Sequence, residues 1–158
     1  DYISYSEVTS FIEKLNNNTK LNFSLPTSAQ WQFAANGGTK SQNYTYSGSN
    51  IPSDVAWYAA NSSSKQTVKT KAPNELGIYD MSGNVGEIVS SVYSSNYGYH
   101  YIFGGSYLSN VAYIETTSCV NYYYYSHGGG FEPSDAGYSN SSNCKSVGVG
   151  FRIVLTCN

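Results

Sequence analysis

The chain has 158 residues and a formal net charge of -2, with only 11% charged residues. That length is one domain with enough core to stand without a dense disulfide framework. The charge excludes the basic stripe of a nucleic-acid binder, no apolar run reaches the span of a bilayer, and no secretory leader is visible. Seventeen tyrosines and fifteen glycines stand beside seven lysines and one arginine, Arg152. Low charge with abundant Ser and Asn is a signature of disorder, but 16% aromatic residues give this chain material for a core.

The predicted elements begin with a helix. Ser4-Tyr5-Ser6-Glu7 is a capping box, a hydroxyl with a Glu three residues on. Val8, Phe11, Ile12 and Leu15 then recur on one helical stripe. The Asn16-Asn17-Asn18 run ends that helix. A second helix starts at Thr27, with Gln30 completing its box, runs through Trp31 and Ala35, and stops at Gly37-Gly38. Residues 39–75 read as loop anchored by Trp57 and Tyr58. Short apolar runs follow at Gly77-Ile78-Tyr79 and Tyr101-Ile102-Phe103. Val149, Phe151, Ile153 and Leu155 alternate as one strand. Residues 104–147 show almost no periodicity, and long structureless segments in small domains usually carry function.

Three cysteines, an odd number, cannot all pair within the chain. If Cys119 and Cys144 bridge, they close a loop of about 25 residues, worth about 3 kcal/mol; the alternative is free, partly buried thiols. His100 and His127 read as exposed loop residues, with neither triad logic nor metal spacing around them.

Eleven of the seventeen tyrosines lie between residues 93 and 138, interleaved with Ser, Asn, Gly and His. Tyr122-Tyr123-Tyr124-Tyr125 cannot all be core, since a strand turns two of them outward and a helix at least one. Exposed Tyr with small polar neighbours is the composition of antibody binding loops: each ring gives large contact area and a polar tip for few frozen torsions. The candidate contact residues are Tyr97, Tyr99, Tyr101, Tyr107, Tyr113, Asn121, Tyr122, Tyr123, Tyr124, Tyr125, His127, Tyr138, Asn140 and Asn143.

Four stretches in order carry a family resemblance: Leu25 to Trp31 with Ala34 to Gly38, Pro73 to Val85, Gly104-Gly105-Ser106-Tyr107, and Gly150-Phe151-Arg152. Asp54-Val55-Ala56-Trp57-Tyr58 adds a linker of the same kind. Together they resemble the formylglycine-generating-enzyme (sulfatase-modifying-factor) family, and because Tyr101 and Tyr107 flank scaffold motifs of that resemblance, it implies partial burial for both. The resemblance implies an α+β, C-type-lectin-like fold with much irregular structure, as one domain over residues 1–158. Two departures stand out. The family's usual N-terminal strand segment has no counterpart before the first helix, and Gly86-Glu87-Ile88 stands where the family has Trp-Glu-Trp.

The family's oxidases use two nearby late cysteines on copper, a soft metal suited to thiolates. Cys119 and Cys144 lack that spacing, so no enzyme activity is expected. The tyrosine-rich segment at about 93–147, ending near Gly-Phe-Arg, instead resembles the variable proteins of diversity-generating retroelements. Template-adenine mutation there converts Asn codons to a set that includes Tyr, Ser, Asn, His, Asp and Gly, and residues 121–127 and 138–143 are drawn almost wholly from that set. The reading is a non-catalytic, receptor- or adhesin-like domain at an extracellular, cell or virion surface, whose ligand is a protein or glycan on another cell or virion. Neither nucleic acid nor direct membrane insertion is expected. The alternatives are an undiversified surface domain and, behind it, an oxidase. No cofactor is required. The resemblance also implies a structural calcium held by Asp80, Gly83, Val85 and Glu87, oxygen donors that suit a hard cation; without metal, Asp80 and Glu87 would make turn and backbone hydrogen bonds. Arg152 is expected to pair with a carboxylate.

Overall fold

A computed structural model describes residues 1–94, 99–121 and 147–156. Both capping boxes form. Helix α1 (Tyr5–Thr19) starts where Glu7 N–H donates to Ser4 Oγ at 3.3 Å and Ser4 N–H donates to Glu7 Oε2 at 3.0 Å. Helix α2 (Ser28–Ala35) starts with the reciprocal Thr27–Gln30 pair. Each box satisfies amide groups that the first helical turn leaves without partners.

The asparagine run does not end α1. The helix continues to Thr19 and closes on Lys20 in the left-handed region. Asn16 has another use: its amide accepts from Phe23 N–H at 2.7 Å and donates to Phe23 O at 2.9 Å. It thus occupies one edge of strand β1 (Phe23–Ser24), whose other edge pairs with strand β6 (Val154–Leu155). A side chain that fills a strand edge removes a template for unwanted pairing.

The main sheet has the order β4-β3-β2-β5, built from β2 (Gly86–Ser94), β3 (Tyr99–Phe103), β4 (Cys119–Asn121) and β5 (Val149–Phe151). Neighbours are antiparallel except β5, which runs parallel to β2. The alternating run 148–155 is therefore not one strand. It divides at Arg152-Ile153 into β5 and β6, which belong to different sheets, because the Arg152 side chain leaves the ladder to reach Glu87 and Tyr79 O.

Alternation along β2 and β3 gives the sheet two apolar faces. Ile88 and Ile102 pack with Val149, Leu25, and Val8 and Ile12 of α1. Val89 and Phe103 pack with Trp31 and Ala35 of α2 and with Met81. Phe11, expected on the buried stripe, is 47% exposed and rests edge-on against Phe151. A third cluster of Tyr46, Val55, Ala56 and Ile114, with Tyr58 against it, holds the long loops and the short helix α3 (Pro52–Val55). The architecture is the expected α+β one, with much of the backbone irregular.

Candidate functional site

The four motif stretches meet at one buried carboxylate. Glu87 lies on the α2 face of β2 and is 8% exposed. Its Oε2 accepts from Trp31 Nε1 at 2.7 Å. Arg152 donates to it through Nε at 3.0 and 3.1 Å and through Nη2 at 2.7 Å. Arg152 Nη2 also donates to Tyr79 O at 3.0 Å. Burial alone would lower the pKa of the guanidinium, but the neighbouring Glu87 and Asp80 carboxylates more than offset this and raise it.

The glycine motif closes the same site. A Cβ on Gly104 (φ 83°) would lie 2.9 Å from Met81 O and 3.2 Å from the Trp31 ring. Gly83 (φ 73°) donates to Gly104 O at 2.7 Å, and a Cβ on it would collide with Trp57 O. Asn84 N–H donates to Trp57 O, and its side chain bonds both Gln66 N–H and Gln66 O. Trp57 is thus an anchor, as expected, but through its carbonyl as much as its half-buried ring. Gly86 and Ile88 replace two indoles of the family pattern. Gly86 N–H bonds Gly148 O, and Ile88 is fully buried on the α1 face.

Glu87 does not fit the implied calcium site. Both its oxygens are taken by an indole N–H and a guanidinium, and a cation there would face Arg152. Asp80 Oδ2 accepts from Lys69 N–H at 2.8 Å, a bond to the backbone of another loop. Gly83 and Val85 remain backbone positions in this turn. Among the described residues no group of three His, Cys, Asp or Glu side chains is placed to hold a metal.

The backbone brings the ends of two tyrosine-rich stretches together. Ser94 pairs with Tyr99, and Tyr101 pairs with Asn121, so Ser94, Tyr99 and Asn121 stand at one end of neighbouring strands. Tyr101 is half-buried against the Trp31 cluster, 6.2 Å from the Phe103 ring. Tyr107 is only 8% exposed, which removes it from a contact face. Its main-chain N–H binds Asn84 O, and this draws it into the core beside the glycine motif. Tyr113 is half-buried in the 3-10 turn Val111–Tyr113. Tyr97, Tyr122 to Tyr125, His127, Tyr138, Asn140 and Asn143 lie outside the described residues, and Tyr99 and Asn121 are placed by backbone only.

His100 is not a surface loop residue. It sits in β3, 8% exposed, stacked on Tyr5 at 3.7 Å between ring centroids. Its Nδ1 is 3.1 Å from Val89 O. Burial lowers its pKa, against the raising effect of the Val89, Ser90 and Ser91 backbone. Nothing local in the sequence marks this: the stacking partner is at the start of α1. Cys119 is a free, exposed residue at the start of β4, yet desolvation at its sulfur raises the thiol pKa. Cys144, its candidate bridge partner, lies outside the described residues. No helix among the described residues is long and apolar enough to cross a membrane.

The model of one family, the Sulfatase-modifying factor enzyme 1-like domain, matches residues 1–157. A curated relative, Chaperone protein LppX of Paenibacillus barcinonensis, is 48% identical over 83 residues, covering 41% of this chain and 30% of that protein. Among solved structures, Treponema denticola variable protein 1 is similar with a TM-score of 0.62 at 28% identity, over 84% of this chain and 47% of that one. CarF is similar with a TM-score of 0.74 at 26% identity, over 99% of this chain and 67% of that one. The chain thus spans less than half the length of the first two of these relatives.

Proposed function

Because this chain belongs to the sulfatase-modifying factor enzyme 1-like domain family, whose scaffold it builds around Glu87, we propose that it is a non-catalytic binding domain that displays the segment at about 93–147 as a variable, tyrosine-rich face. The observation that carries this reading is the strand register: Ser94 beside Tyr99 and Tyr101 beside Asn121 launch two Tyr/Ser/Asn-rich stretches from one end of the sheet. Similarity to Treponema denticola variable protein 1 supports a variable protein over a fixed one. The face takes a protein or glycan on another cell or virion, and the protein is exposed at an extracellular, cell or virion surface. A standard epitope buries about 800 Å² per partner, within reach of such a segment.

The scaffold favours this division of labour. Trp31, Glu87 and Arg152 belong to the packed frame, and so, within the segment itself, do Ile102, Phe103, Gly104, Tyr107 and Ile114, so variation falls on the residues between these fixed positions. Rigid support with substitutable rings keeps the ordering cost of binding low. Against oxidase chemistry stand the separation of Cys119 from Cys144 and the raised pKa of the Cys119 thiol, since the thiolate is the metal ligand and nucleophile.

Deep sequencing of the gene and its flanks across a population of the source organism tests the proposal. Substitutions clustered in codons 93–146 at adenine positions, beside a reverse transcriptase and a near-identical template repeat, would support it. An invariant segment with no template would sink the variable reading; copper binding with thiol oxidation by the purified protein would sink the non-catalytic one. Replacing Tyr122 to Tyr125 by Ala is expected to leave the melting curve nearly unchanged and abolish ligand binding, whereas cooperative loss of stability would place those rings in the core.

A further inference from the structure

A cleft of about 600 Å³ opens where β5 leaves for β6, walled by Asp1 and Ile3, Val68-Lys69, Gly77 to Asp80, and Gly150 to Arg152. None of these residues belongs to the tyrosine-rich segment. The volume lies within the range of small-molecule sites.

The polar groups of the cleft divide into those already spent and those left over. Glu87 is saturated by Trp31 and Arg152. Asp80 Oδ2 is taken by Lys69 N–H. Asp1 Oδ1 pairs with Lys65, and no hydrogen-bond donor among the described residues reaches its Oδ2. Among the described residues, nothing accepts from Arg152 Nη1, and the Arg152 side chain is 32% exposed. Asp80 Oδ1 likewise has no hydrogen-bond donor there. Lys69 Nζ lies 5.6 Å from the Tyr79 ring centroid, with no carboxylate in ion-pair range among the described residues. The cleft therefore offers two anionic acceptors, Asp80 and Asp1, two cationic donors, and an apolar wall of Val68, Tyr79 and Phe151, with Val68 66% exposed.

Counting Glu87, three carboxylates face two side-chain cations. A simple anion meets Asp80, and a simple cation meets Arg152 and Lys69. A ligand bearing both charges satisfies all the leftover groups. We propose that this cleft binds a small zwitterion with an apolar side chain, an amino acid or dipeptide. Its ammonium donates to Asp80 Oδ1, its carboxylate accepts from Arg152 Nη1 and Lys69 Nζ, and its side chain covers Val68, Tyr79 and Phe151. Because the site lies outside residues 93–147, its ligand stays the same whatever the tyrosine-rich face becomes.

The test is amide NMR of the whole domain titrated with L-phenylalanine and L-leucine to about 10 mM, a range that reports dissociation constants near 1 mM. The expected result is saturable shifts at Lys69, Tyr79, Asp80 and Gly150 to Arg152. N-acetyl-L-phenylalanine and L-phenylalaninamide, each lacking one charge, should bind at least tenfold more weakly. Asp80→Asn should also weaken binding at least tenfold; Asn tolerates the φ of 58° at this position, so the fold is kept. Lys69→Met, which retains the main-chain donor, should weaken it severalfold and serves if Asp80→Asn unfolds. No saturable shift with either amino acid, equal binding of the blocked analogues, or equal binding by a folded Asp80→Asn domain would overturn the proposal.

Discussion

Removing the Glu87 carboxylate is the sharpest test of how this scaffold is held. In Glu87→Ala, the Trp31 indole N–H, on a side chain 1% exposed, loses its acceptor. An orphaned buried donor costs about 1–3 kcal/mol. Arg152 loses a two-nitrogen ion pair, and breaking a fully buried pair costs about 3–5 kcal/mol. Its side chain is 32% exposed, so water re-solvates part of the guanidinium and that share falls toward the lower bound. The two losses share one carboxylate and do not add in full. We expect about 3–5 kcal/mol in total for Glu87→Ala. Glu87→Gln, which keeps one acceptor oxygen but turns an amide N–H₂ toward Arg152, should cost about 2–3 kcal/mol on the same grounds. At roughly 2–4 °C per kcal/mol for a domain of this size, the alanine variant melts about 10 °C lower. Urea unfolding followed by tryptophan fluorescence measures the difference, and a double-mutant cycle with Arg152→Met isolates the pair. A loss below about 1 kcal/mol, or Glu87 and Arg152 effects additive within about 0.5 kcal/mol, would refute the role of Glu87 in tying Trp31 to Arg152.

Other perturbations read other parts of the molecule. Trp31→Ala should cost about 3–5 kcal/mol, since it empties the α2 core as well as removing the Glu87 donor, and an unchanged melting curve would contradict its burial. Ser4→Ala and Thr27→Ala each remove one capping box and should cost about 1 kcal/mol, read by thermal unfolding. His100 is held neutral by burial, so its folded pKa lies below the ordinary value of about 6.5. Above that pH the imidazole is neutral in both states and adds no pH dependence. As pH falls below it, the unfolded chain takes the proton first, and stability is lost progressively until the folded pKa is reached. Urea midpoints between pH 8 and pH 5 should therefore decline more steeply in the parent than in His100→Phe, which keeps the ring against Tyr5. Equal slopes would show that His100 is not the titrating group.

The features legible in residue order alone were local or motif-bound. The Ser4–Glu7 and Thr27–Gln30 boxes are contacts between residues three apart, so both helix starts were legible, as was the stop at Gly37-Gly38. The ordered motifs named the α+β scaffold, and Arg152 was expected to have a carboxylate partner. Which carboxylate it was could not be read, because Trp31, Glu87 and Arg152 are separated by 56 and 65 residues and meet only when the sheet docks on α2. The same contact decided against the calcium role of Glu87, since a carboxylate spent on a guanidinium and an indole has no lone pairs directed at a metal. Alternation over 148–155 reported side-chain facing but not strand partnership, so it missed the change of sheet at Arg152. His100 had the composition of a surface segment and proved buried, and Tyr107, expected to be only partly covered, is buried too. Composition assigns a residue to a neighbourhood of sequence, while burial depends on what the tertiary fold stacks against it, here Tyr5 on His100 and the Asn84 turn beside Tyr107.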